Sequence, residues 1–369
     1  MRKSQILKVA FTLIITMTAT GCGANLDKER TTIDETGGTI TIIEDVEQEV
    51  NKPDISIDRI ESFEKREISD WLDEENVIVS RENETLNKMR LEELSDYYPR
   101  SLYQYSLKTG EYRLLVEDQE QNLGGGVLSP DKKYLLYYGY TLGDPSFYIL
   151  DLETLESVNI KGETIGNVGG AKWADNYTVI GPGYMNGAYV SDVFGNTYDI
   201  KELLEEAIYN IVKINDTIYF TTTYDATLMS LNISTQEKLN LGFNHVLRII
   251  PSPDRMQMVL VQSDGAKQTI SLVDIDGSNK EVIAEGTEIG GVSWSPDQRM
   301  FAYSIKGEGT SPGASSLYIY DMLTSKSVQI AVDVENITTS FSPDSKALAF
   351  SNWNGTEYNS SIVYFKINQ

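Results

Sequence analysis

The chain is poor in the side chains that usually do chemistry. Among its 369 residues there is one histidine, His245, and one cysteine, Cys22. Nucleophilic triads need a histidine beside the nucleophile, and zinc centres draw on clustered His and Cys, so both classes are excluded in their common forms. His245 stands just ahead of an apolar segment and reads as structural. No Gly-x-Ser-x-Gly elbow, phosphate loop or dinucleotide fingerprint is present. Gly124-Gly125-Gly126 leads into a strand-like run and not a helix, which fits a backbone turn. Asp274-Ile275-Asp276-Gly277-Ser278-Asn279 alternates oxygens as a calcium loop does, with Glu285 in the twelfth place. Val282-Ile283 in between is strand-like and no helices flank the segment, so a hairpin turn accounts for it better. The expectation is therefore no catalytic constellation, no metal and no cofactor.

What remains is recognition chemistry. Tyrosine is abundant, with 22 copies. Polar segments between apolar runs carry Tyr97, Tyr98, Tyr140, Tyr184, Tyr224, Trp353 and Tyr358, interspersed with Asp144, Asp225, Asp264, Glu308 and Glu357. Aromatic rings offer rigid contact area with a polar tip, which suits binding of a sugar or peptide. Tyr140, Asp144, Tyr184, Tyr224, Asp225, Trp353 and Tyr358 are the candidate binding residues.

The elements that would position them come from a repeat. Leu128-Ser129-Pro130-Asp131, Pro251-Ser252-Pro253-Asp254, Trp294-Ser295-Pro296-Asp297 and Phe341-Ser342-Pro343-Asp344 each precede an apolar strand, a polar loop and a further strand. The prolines are 123, 43 and 47 positions apart, and the first gap holds two worn copies at Lys172-Trp173-Ala174-Asp175 and Lys213-Ile214-Asn215-Asp216. Asp70-Trp71-Leu72-Asp73 is a seventh. In each, Pro presets φ for a tight turn and Asp can accept a backbone N–H two residues on. A four-stranded sheet of about 40 residues cannot bury both faces alone, but such units packed in a ring can. The fold predicted is all-β, a seven-bladed β-propeller of four-stranded antiparallel blades over residues 55–369. The chain ends after the third strand of the last blade, so Ile55-Ser56-Ile57-Asp58-Arg59-Ile60 is predicted to supply its fourth strand and close the ring. Two helices are expected outside the pattern, over Thr85–Leu94 and from a capping box at Asp199-Ile200-Lys201-Glu202 through Tyr209.

The Ser-Pro-Asp turn and its flanks resemble the TolB-type propeller repeat, a relative of WD-repeat blades. That resemblance implies a scaffold that binds a protein or peptide.

The N-terminus has its own signature. Basic Met1–Lys8 precedes an apolar, Thr-rich run from Val9 to Ala19, then Ala19-Thr20-Gly21-Cys22. The run suits a cleaved export signal and is too short to span a bilayer. It resembles a bacterial lipoprotein signal, with Ala19 where that family usually carries Leu. The resemblance implies cleavage after residue 21, acylation of Cys22, and anchoring to the extracytoplasmic face of the cell membrane. Residues 22–54, rich in acids, read as a mostly extended tether.

The charge is −24, from 55 acids against 31 bases. Phosphate backbones and anionic headgroups repel such a chain, which excludes nucleic acid and basic-patch docking on lipid. The expected partner is an envelope protein or peptide, the acids favouring a basic one, bound by a monomer. The alternatives are a glycan- or peptide-processing enzyme using carboxylates at the channel mouth, and a small-ligand sensor or carrier.

Overall fold

The computed structural model describes residues 30–35, 38–43, 55–91, 94–142, 145–160, 170–307 and 315–367. It divides into two units, residues 1–52 and 53–369. The first contains an antiparallel hairpin of β1 (Arg30–Glu35) and β2 (Gly38–Ile43) within the stretch expected to be an extended tether. Cys22 and the signal lie outside the described residues.

The second unit is a seven-bladed β-propeller of four-stranded antiparallel sheets. Blade one is β4 (Glu67–Trp71), β5 (Asn76–Glu82), β6 (Arg100–Ser106) and β7 (Tyr112–Val116). Blade two is β8 (Asn122–Leu128), β9 (Tyr134–Tyr140), β10 (Ser146–Asp151) and β11 (Ser157–Asn159). Blade three is β12 (Lys172–Trp173), β13 (Thr178–Pro182), β14 (Ala188–Asp192) and β15 (Thr197–Asp199). Blade four is β16 (Ile208–Ile214), β17 (Thr217–Thr222), β18 (Met229–Asn232) and β19 (Lys238–Asn240). Blade five is β20 (Val246–Pro251), β21 (Gln257–Asp264), β22 (Lys267–Asp274) and β23 (Glu281–Gly286). Blade six is β24 (Ile289–Trp294), β25 (Met300–Lys306), β26 (Ser315–Asp321) and β27 (Lys326–Val334). Blade seven is β28 (Thr338–Phe341), β29 (Ala347–Trp353), β30 (Tyr358–Ile367) and, from the other end of the unit, β3 (Ile55–Phe63). β3 pairs antiparallel with β30 from Ile55↔Ile367 to Phe63↔Ser360, which is the predicted closure.

Why the sheets form a ring shows in the core. Among the described residues the buried apolar side chains fall into seven clusters, and each lies between two neighbouring blades. The cluster joining the ends of the ring sets Ile68, Trp71, Val77 and Val79 of blade one against Ala347, Ala349 and Ile362 of blade seven. No blade has a core of its own, so burial of apolar area requires the neighbour on each side.

The Ser-Pro-Asp turn behaves as its chemistry dictates. Asp131, Asp254, Asp297 and Asp344 each accept from the backbone N–H two residues on, at 2.9–3.4 Å. The serine does more than the sequence suggested. Ser129, Ser252, Ser295 and Ser342 are buried; each donates to its Asp Oδ1 at 2.6–2.8 Å and accepts the N–H five residues on at 2.9–3.1 Å. That ties the first strand to the second across the turn.

Among the described residues neither expected α-helix forms. Residues 83–91 form a turn at Glu84–Thr85 and otherwise irregular chain, because the Asn83 Oδ1 takes the Thr85 N–H (3.1 Å) and the Gln119 side chain holds the Asn87 backbone. Asp199 ends β15, opposite Tyr189, and Ile200 caps a single 3₁₀ turn, Lys201–Leu203, with no side-chain cap. The fully buried Leu203 fixes that turn, and the chain re-enters the sheet at Ile208.

Candidate functional site

The first strand of every blade is innermost, so these strands line the channel. At one level of them, set by pairing with the second strands, stand Glu67, Gly124, Asn210, Arg248, Gly290 and Thr338, opposite Ser80, Tyr138, Thr221, Val261, Ser304 and Ser351. Glu67 opens β4 on the face where the second strands lead into the third. It is only 5 % exposed.

Its partner is Arg100, the first residue of β6, whose Nη2 lies 3.6 Å away. Arg100 also donates from Nε to Ser80 Oγ (3.0 Å) and from Nη2 to the Ser80 carbonyl (2.6 Å). Its backbone N–H donates to Asn122 Oδ1, and Ser80 Oγ donates to the Leu123 carbonyl, so the pair is stitched into blade two. A buried carboxylate and guanidinium held this way are costly to separate, because either alone is an uncompensated charge.

Aromatic rings from two other blades gather on this pair. Tyr358 of blade seven sets its ring 4.9 Å from Arg100 Cζ, a cation–π contact, and stacks at a tilt on Trp353 with 4.8 Å between centroids. Tyr138 and Tyr140, at the end of β9, lie 5.7 Å apart. Tyr138 packs against the glycine run, which is a bulge inside β8 between Gly124 and Val127. A Cβ on Gly125 would fall 1.9 Å from the Tyr138 ring, and Gly125 has φ +67°. Only glycine suits both demands.

The electrostatics follow from burial. Burial pushes the Glu67 carboxyl above the ordinary carboxylate range, and Arg100 pulls it back. Burial, then Glu67, raises Tyr138 well above a normal phenol and Tyr358 to about 12; Tyr140 is raised mainly by burial. All three remain neutral phenols at physiological pH. The result is a polar-aromatic surface across blades seven, one and two, whose phenols can donate or accept and whose rings can stack.

The sequence-predicted residues divide accordingly. Tyr140, Trp353 and Tyr358 come together here, at strand ends and not in loop interiors. Tyr184 and Tyr224, 69 % and 91 % exposed, project from loops of the same face in blades three and four. Asp225 shapes its own loop: its Oδ1 accepts from Thr222 Oγ1 (2.9 Å) and the Thr227 N–H (3.0 Å). Asp144 and Glu308 lie outside the described residues. His245 sits in a left-handed turn (φ +54°), its N–H donating to the Asp225 carbonyl. Asp274 accepts from Gln257 and Asn279, and Gly277 N–H closes on its carbonyl, so that segment is a hairpin turn. Among the described residues no group of three His, Cys, Asp or Glu side chains is placed to hold a metal ion. No described helix is long and apolar enough to cross a membrane. Glu67, Arg100 and Tyr138 escaped the sequence reading; the signal was the Tyr137-Tyr138-Gly139-Tyr140 run following a triple glycine.

Comparison with known proteins supports the fold. No protein-family model matches the chain, and no curated protein matches it. Among solved structures, an oligogalacturonate lyase in complex with manganese is similar at 14 % identity, covering 92 % of this chain and 96 % of that one, with a TM-score of 0.60. An oligogalacturonate lyase from Vibrio parahaemolyticus matches at 12 % identity (84 % and 97 % covered, TM-score 0.61). A β-propeller domain from Myceliophteria thermophila matches at 13 % (84 % and 99 %, TM-score 0.58). The likeness is one of fold.

Proposed function

We propose that this chain is a TolB-type binding propeller, lipid-anchored through Cys22 on the extracytoplasmic face of a bacterial cell membrane, and that it captures an envelope protein or peptide on the rim of blades seven, one and two. One observation carries the reading: blades two and seven converge Tyr138, Tyr140, Tyr358 and Trp353 on a single Glu67–Arg100 pair of blade one. Glu67 and Arg100 are both too enclosed to work on a substrate; they form an ion pair with each other, and Arg100 also donates to Ser80. Their role is to hold the rings, and rigid rings with polar tips favour recognition over turnover.

The enzyme alternative draws on the raised Glu67 carboxyl and on the lyase-like fold; fold alone carries little weight for function. The test is crosslinking on intact cells with mass spectrometry of the captured partner. Replacing Tyr140, Trp353 and Tyr358 together by alanine is expected to weaken capture about tenfold or more. Undiminished capture rejects the rim, and turnover of wall fragments lost in Glu67→Gln supports the enzyme instead.

A further inference from the structure

Elsewhere on the inner strands, two cations stand close together. Inner-strand polar residues elsewhere latch one blade to the next: Asp70 of blade one accepts the Leu128 N–H of blade two (2.8 Å), the Asn210 amide of blade four donates to the Leu247 carbonyl of blade five, and Ser293 of blade six meets Thr339 of blade seven at 2.7 Å. Arg248 of blade five stands at the level of Asn210 and makes no such latch. Its Nη1 lies against Gly290 of blade six, 3.9 Å from where a Cβ would be, and among the described residues its side chain forms no ion pair or hydrogen bond. It is exposed, on an inner strand, facing a glycine.

Lys172 approaches the same place from blade three. Its ammonium reaches past blade four to donate to the Ile249 carbonyl at 3.4 Å, next to Arg248, and it too has no carboxylate partner among the described residues. Burial, and secondarily the Arg248 charge, lower its pKa to about 8. Two cations thus converge from separate blades, in a protein carrying 55 acids, without an acid among the described residues set against either. Holding two like charges together on inner strands is unfavourable unless an anion joins them.

We propose that the central channel is a binding site for a small anion with carboxylate or phosphate oxygens, held between the Lys172 ammonium and the Arg248 guanidinium. The ammonium supplies a point charge and the guanidinium a planar fork, and Gly290 leaves room beside it. The site is separate from the rim: it is built by blades three, five and six, and the rim by blades seven, one and two.

The experiment is isothermal titration calorimetry of the full chain in detergent at low ionic strength, with inorganic phosphate in one arm and succinate in the other. One-site binding in at least one arm is expected, and the responding arm identifies the ligand class. Lys172→Met and Arg248→Met are each expected to weaken it about tenfold or more, and Arg248→Lys to retain part of it. Both folded variants are verified by circular dichroism. The Tyr140, Trp353 and Tyr358 alanine variant binds the anion as wild type does, so the two sites fail or succeed separately. No binding in either arm at about 10 mM anion, or equal binding by both Met variants, overturns the proposal.

Discussion

Arg100 Nη2 lies 3.6 Å from Glu67 in a setting that leaves the two side chains 12 % and 7 % exposed. Removing one partner is therefore worse than neutralising the other. Arg100→Met strands a buried carboxylate and is expected to cost about 3–5 kcal/mol, read from urea unfolding. Glu67→Gln leaves Arg100 its bonds to Ser80 and its ring contact with Tyr358, and costs less.

The same carboxyl sets a pH dependence. Burial raises it in the folded state above its ordinary value of 4.5. The folded protein then binds a proton that the unfolded chain releases. Its contribution is fully present below about 4.5 and is lost as pH rises through the folded pKa. Urea midpoints for wild type should therefore fall relative to Glu67→Gln as pH rises above that point. A gap that widens in the other direction would show the carboxylate to be stabilised by Arg100.

Gly125 is expected to be intolerant of any side chain. Gly125→Ala sets a methyl into the Tyr138 ring and adds about 1 kcal/mol for the left-handed backbone. The double variant with Tyr138→Ala removes the clash, so it should be more stable than additivity predicts, by about 1 kcal/mol or more. Strict additivity would mean that the ring does not rest on the glycine.

The three tryptophans ahead of the inter-strand turns bond across the ring. Trp71, Trp173 and Trp294 donate from the indole N–H to the Ser340, Val127 and Ile250 carbonyls of the preceding blade at 3.0, 2.9 and 3.4 Å. Each Trp→Phe is expected to cost about 1–3 kcal/mol, with Trp294, the longest bond, the least. The sites are far apart, so the costs should add in the triple variant to within about 0.5 kcal/mol.

Ring closure is tested by deleting residues 55–63. β30 becomes an open edge, and the pocket of blades six and seven that holds the fully buried Ile55 is emptied. The melting temperature should fall by about 10 °C or more, and Ile55→Asp should reproduce much of that loss. An unchanged melting temperature in both would contradict closure by β3.

The architecture was legible in the sequence because it rests on local chemistry repeated in register. The Ser-Pro-Asp turn carries its own hydrogen bonds, and two of the three worn copies keep the aspartate's: Asp73 and Asp175 accept the Glu75 and Tyr177 N–H groups at 2.8 and 2.9 Å. The rim was legible only in part. Tyr140, Trp353 and Tyr358 are visible as aromatics near strand ends, but their common anchor is long-range. Glu67 and Arg100 are 33 positions apart and Tyr358 lies almost at the other end of the chain, joined to them by closure of the ring. The channel level shared by Glu67, Asn210 and Arg248 depends on strand register, and bulges in the inner strands shift it from blade to blade. The two misread helices fail for a related reason: Asn83 and Leu203 answer to tertiary partners that local propensity does not contain.

The most direct test of rim recognition is site-specific photocrosslinking on intact cells. A benzophenone side chain is placed at Tyr140 in one strain and at Met256, exposed in a turn of the opposite face, in another. The account predicts one discrete protein or peptide adduct from position 140 and none from position 256. The same adduct from position 256, or an adduct from there alone, would contradict it.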